Sequence, residues 1–153
     1  MGLLDRAGQQ LAAQLDAYLA VHDSLFGPSL LENIRRVIPI PGFFRPIPYA
    51  EYDGNLTHVL MGVGSILVEI GSCRASSPPE ANLRDTLLEY GRRLTTSIQQ
   101  LQAIVGAMAL KAAGAGGPTF AEYRQKRQEY LDSRRHYLAV AERLNLLYRA
   151  NGG

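Results

Sequence analysis

The chain has 153 residues and a formal net charge of +2, enough length for one domain with a buried core. So small a net charge does not mark a nucleic-acid or membrane-surface binder. The single cysteine, Cys73, excludes an intrachain disulfide and a cysteine metal cluster. The charge is uneven, however: residues 1–78 hold five Lys or Arg against seven Asp or Glu, whereas residues 79–153 hold eleven against seven.

The opening "MGLLDRAGQQ" carries charges within its first six residues and no apolar run, so no secretory signal is expected. The most apolar window, Val59 to Val68, is ten residues, where a membrane span needs about twenty. A soluble, cytoplasmic chain without a transmembrane segment is the expectation.

Leu3 to Phe26 reads as an amphipathic helix, with Leu4, Leu11, Leu15, Tyr18, Leu19 and Leu25 near helical spacing. After "GPS", Ser29 and Glu32 form a capping box ahead of a short helix that must end by Ile38, because Pro39 follows. The next stretch, "IPIPGFFRPIPYAEYDGN", holds four of the chain's eight prolines and four of its twelve Phe and Tyr residues. Proline removes backbone donors and keeps preceding residues extended, so residues 39–54 are expected as a stiff strap. Its apolar content excludes a solvated linker.

Asp53 or Asn55 can cap a central helix over residues 55–75. Its apolar positions, Leu56, Val59, Leu60, Val63, Ile66, Leu67 and Ile70, form a wide stripe that predicts cover on more than one side. Gly62, Gly64 and Gly71 are read as permitting close helix approach. "ASSPPEAN" breaks the chain, and a long helix from Glu80 to about Ala113 carries Leu87, Leu94, Leu101 and Met108 at seven-residue steps. "GAGGPT" turns it, Thr119 and Glu122 form a second capping box, and the last helix repeats Tyr123, Tyr130, Tyr137 and Leu144 at the same step. Matching heptads across a short turn predict an antiparallel hairpin over residues 80–150. The fold class is therefore all-α: residues 1–153 as one domain, a helical bundle of four main helices plus one short helix, with residues 1–38 as N-terminal helices.

Catalytic patterns are sparse. His22, His58 and His136 lie on three different predicted helices, none with a carboxylate or histidine at ligand spacing, and no Glu-x-x-His pair is present. "GVGS" at Gly62 follows no strand and precedes no P-loop lysine. No catalytic residue, metal or cofactor and no small-molecule substrate is expected, and the chain is read as non-enzymatic.

Two surfaces stand out. In the strap, Phe43, Phe44, Arg45, Tyr49 and Tyr52 combine aromatic anchors with a rim charge, as docking on a protein partner requires. On the last helix, Arg124, Arg127, Arg134 and Arg135 interleave with tyrosines, a pattern suited to phosphate contact and base stacking. The plainer alternative packs the tyrosines on the preceding helix, hydroxyls at the rim, with the arginines paired to Asp85, Glu89 or Glu129.

"LLEYGRRLTTSIQQLQAIVGAM", Leu87 to Met108, resembles a helix of the small subunits of type III CRISPR effector complexes. The resemblance covers about twenty residues, carried by "LTTS" and flanking apolar positions, and implies an all-helical subunit lining guide and target RNA. It departs where "SIQQ" replaces a glutamine followed by a basic residue. The leading expectation is an interaction or assembly subunit of a larger protein complex, or a self-associating chain, docking through the strap and the C-terminal helix. The alternative is an RNA-binding small subunit of a ribonucleoprotein.

Overall fold

A computed structural model of the chain describes residues 2–26 and 47–151. Among the described residues there are four helices and no strand: α1 (Leu3–Phe26), α2 (Tyr49–Ser72), α3 (Pro78–Ala112) and α4 (Phe120–Ala150). The all-α bundle expected from the periodicity is present. The expected short helix ending at Ile38, and strap residues Phe43, Phe44 and Arg45, lie outside the described residues.

The strap boundary at residue 54 is corrected, because α2 begins at Tyr49 and absorbs Tyr49, Tyr52 and the expected cap Asp53. The reason is local. Pro48 stands at the N-cap with φ −81°, where the N–H it lacks is not needed, and its carbonyl accepts the Tyr52 N–H at 3.1 Å. The helix ends at Ser72, with Cys73 extended at the C-cap. Serine, proline and acid set the start of α3 in the same way. Ser77 accepts the Glu80 N–H at 3.3 Å, and Pro78 occupies a first-turn position that needs no donor. Glu80 reaches back to the Ser76 hydroxyl and N–H, which holds its carboxyl below the usual range. At α4 both halves of the Thr119–Glu122 capping box form, at 3.1 and 3.2 Å.

The centre of the bundle is α3, which packs against all three other helices. Leu87, Leu94, Leu101, Ile98 and Val105 on it are at most 1 % exposed. Glu89 on α3 meets Arg143 on α4, and further along Ser97 meets Ser133, so contacts step backward along α4 as α3 advances. Gly91 is buried where α2 crosses α3, with the Leu67 side chain filling the space a Cβ would take.

The apolar stripe of α2 is covered on more than one side, as expected, since α2 packs against both α1 and α3. Leu56, Val59, Val63, Ile66 and Ile70 face the core, but Met61 and Val68 on the far side are 68 % and 75 % exposed. With 24 residues and a mean hydropathy of 1.2 in its most apolar window, α2 is also long and apolar enough by composition to cross a membrane, unlike the ten-residue window that the sequence suggests. Gly62 lies against the Gln14 side chain, as a close-approach glycine should, whereas Gly64 and Gly71 have nothing within 4 Å.

These environments separate two kinds of glycine. Gly91→Val should cost about 1–3 kcal/mol through overpacking against Leu67. Gly64→Ala, on open helix surface, should gain about 0.5–1 kcal/mol for the isolated chain. Urea unfolding of the dilute variants measures both, and opposite signs are the expected result.

Candidate functional site

No backbone approach within 8 Å joins α1 to α4, and large polar-tipped side chains fill the space between them. Tyr18, from α1, and Tyr130 and Tyr137, from α4, are essentially inaccessible to solvent. Tyr137 meets the rings of both Tyr18 and Tyr90 edge-on, the favoured aromatic geometry.

Their hydroxyls belong to a continuous buried chain. Arg134 NH1 lies 2.9 Å from His22 Nε2, and His22 Nδ1 lies 2.7 Å from the Tyr130 hydroxyl. That hydroxyl is 2.6 Å from the Tyr18 hydroxyl, which is 3.1 Å from Ser97 Oγ. Ser133 Oγ closes the run, 3.1 Å from Ser97 Oγ and 2.6 Å from the Tyr130 carbonyl.

Chemistry orders the protons. Arginine is always a donor, so His22 Nε2 accepts and the imidazole proton sits on Nδ1. His22 then donates to Tyr130, Tyr130 to Tyr18, and Tyr18 to Ser97. Burial pushes Tyr18 and Tyr130 well above the usual tyrosine range. Burial, helped by the Arg134 charge, lowers the His22 pKa to about 4. Both His22 nitrogens are engaged and the tyrosines hold their protons at neutral pH. What this arrangement does chemically is lock three helices in one register.

The four arginines of α4 that the sequence singles out have different surroundings. Arg134 turns inward to His22 and also lies 3.4 Å from the Tyr137 hydroxyl. Arg135 is exposed and paired with Asp132 at 3.4 Å. Arg124 and Arg127 lie over the rings of Phe120 and Phe26, 5.7 and 5.9 Å from the centroids. Arg143 pairs with Glu89 across the helices, one of the pairings the plainer reading anticipates. The Tyr130 hydroxyl is not at the rim, because α1 brings Tyr18 and His22 to meet it. Tyr49 and Tyr52 are half-buried in the first turn of α2, packed against the core.

Sequence reasoning passes over two groups. One is the Tyr18, His22, Ser97 and Ser133 set, of which only the i, i+4 step from Tyr18 to His22 is visible in the chain. The other is the outward face of α2: Gly54, Thr57, His58, Met61, Gly64, Ser65, Val68, Gly71 and Ser72 are all exposed, with exposed Glu51 and half-buried Glu69 along one margin. Its signal was an apolar helix whose glycines outnumber the contacts that need them. No protein-family model, curated protein or solved structure matches the chain.

The His22 environment gives stability a pH dependence. Its folded pKa of about 4 lies below the ordinary 6.5, so between those values the unfolded chain binds more protons. The stabilisation is complete above pH 6.5 and is lost as pH falls toward 4, when an imidazolium would face Arg134. On the order of 1–2 kcal/mol is at stake after allowance for solvent screening. Thermal melts of the wild type should drop more between pH 6.5 and 4.5 than those of His22→Gln, which cannot titrate; parallel curves would refute the assignment.

Proposed function

We propose that the protein is a non-enzymatic assembly subunit that docks on a protein partner through the outer face of α2. The observation that carries this reading is that the most apolar helix leaves Met61 and Val68 in solvent on a face whose charged side chains, Glu51 and Glu69, stand only at its margin. Exposed apolar side chains arranged along one helix face cost free energy in water that a partner surface recovers. The α3–α4 pair, taken as the antiparallel hairpin its heptads predict, is the rigid support. Docking is favoured over RNA binding because Arg134, one of the four arginines of the basic run, turns inward to His22.

Met61→Glu combined with Val68→Glu tests the reading. Both positions are exposed, so melting temperature and helicity should stay close to wild type. In gel filtration of an extract from the native source, the wild type should elute well above its 16.8 kDa mass and the double variant near it. Elution of both as monomers would overturn the proposal.

A further inference from the structure

Resting on that docking reading, the geometry points to the partner: we infer that α2 pairs antiparallel with α2 of a second copy of this chain. Met61 and Val68 lie one heptad apart, with Gly54 one heptad before Met61. Beside them runs a second exposed file, Thr57, Gly64 and Gly71, so the two files together step by three and four residues, as a two-helix interface requires.

The glycines supply the first argument. Gly54, Gly64 and Gly71 have no atom within 4 Å of a Cβ position, so no contact inside the chain needs them. Gly54 and Gly64, inside the helix, nevertheless weaken it by roughly 0.5–1 kcal/mol each relative to alanine. Exposed helix glycine with no internal use is explained by close approach from outside.

Self-complementarity supplies the second. In an antiparallel pair each file faces the other file of the opposite helix. Centring the two-fold axis between Gly62 and Val63 sets Met61 against Gly64 of the second copy and Val68 against Thr57. Gly54 falls opposite Gly71, where the backbones come closest. The large side chain at the centre thus meets a gap, and does so twice because the interface is isologous.

Charge supplies the third. In the same register Asp53, near the start of α2, comes alongside Arg74 of the second copy, just past its end. Neither has an ion-pair partner among the described residues, and the pairing puts opposite signs together at both ends. Antiparallel packing also sets each helix's N-terminus beside the other's C-terminus, a favourable arrangement of helix dipoles.

Two experiments on the purified full-length chain test this. Sedimentation equilibrium should give twice the 16.8 kDa monomer mass for the wild type and the monomer mass for Met61→Arg. A second set carries Gly54→Cys or Gly71→Cys, each with Cys73→Ser and a distinct tag. Oxidising the two together should join Gly54→Cys to Gly71→Cys chains, while either alone stays uncross-linked, because like positions lie far apart in an antiparallel pair. A monomeric wild type, a dimer indifferent to Met61→Arg, or like-position cross-links would each overturn the inference. Met61-dependent flotation of a monomer with phosphatidylcholine vesicles would also overturn it, assigning the face to lipid. A purified monomer that still elutes large from the native extract, and loses that size on Met61→Glu with Val68→Glu, would reject the second copy while sustaining docking.

Discussion

The Tyr130 hydroxyl accepts a hydrogen bond from His22 and donates one to Tyr18, and by doing so joins two helices whose backbones never come close. Much of the interior depends on that atom. A buried hydroxyl without a partner costs about 1–3 kcal/mol, so each member of the run from Arg134 to Ser133 is held in place by its neighbours' need for a partner. The leucines of α3 provide the bulk attraction, which is non-directional and would tolerate α1 rotating or sliding. The polar chain removes that freedom, because only one register of α1 satisfies His22 and Tyr18 together.

This division of labour explains how α2 can be exposed. With α3 central and the α1–α4 side closed by tyrosines, α2 need only contribute one face, Leu56 to Ile70, to complete the core. Its opposite face is then held to the fold at one edge, where Gln102 of α3 donates to the Thr57 hydroxyl at 2.8 Å, and bare at Met61 and Val68. That such a face keeps Met61, Val68 and three glycines, with charge only at its margin, is the opposite of what solubility alone would favour.

Helices were legible where the signal was local. The Thr119–Glu122 box and the Leu87–Leu94–Leu101 heptad rest on spacing within one helix, and both have their expected structural counterparts. The start of α2 was misplaced because proline was read only as a helix breaker, whereas Pro48 at a helix entrance breaks nothing. The apolar stripe of α2 gave the core face and its cover by more than one neighbour, but not the exposure of Met61 and Val68, which read the same whether covered or bare. The fate of the α4 arginines was illegible for a different reason. Whether Arg134 faces water or His22 depends on a residue 112 positions away, and no periodicity within α4 contains that.

Phe26, the last residue of α1, and Ile47, just ahead of α2, line the same small cavity of about 170 Å³, together with Met108 and Tyr123. The end of α1 and the start of α2 therefore meet at one place, beside the end of α3 and the start of α4. All four helices line that cavity, with Leu25 and Phe26 from α1, Tyr49 from α2, Ile104, Val105 and Met108 from α3 and Tyr123 from α4. A substitution at Tyr123 thus bears on the entry of α2 as directly as on the start of its own helix, although the two are far apart in the chain.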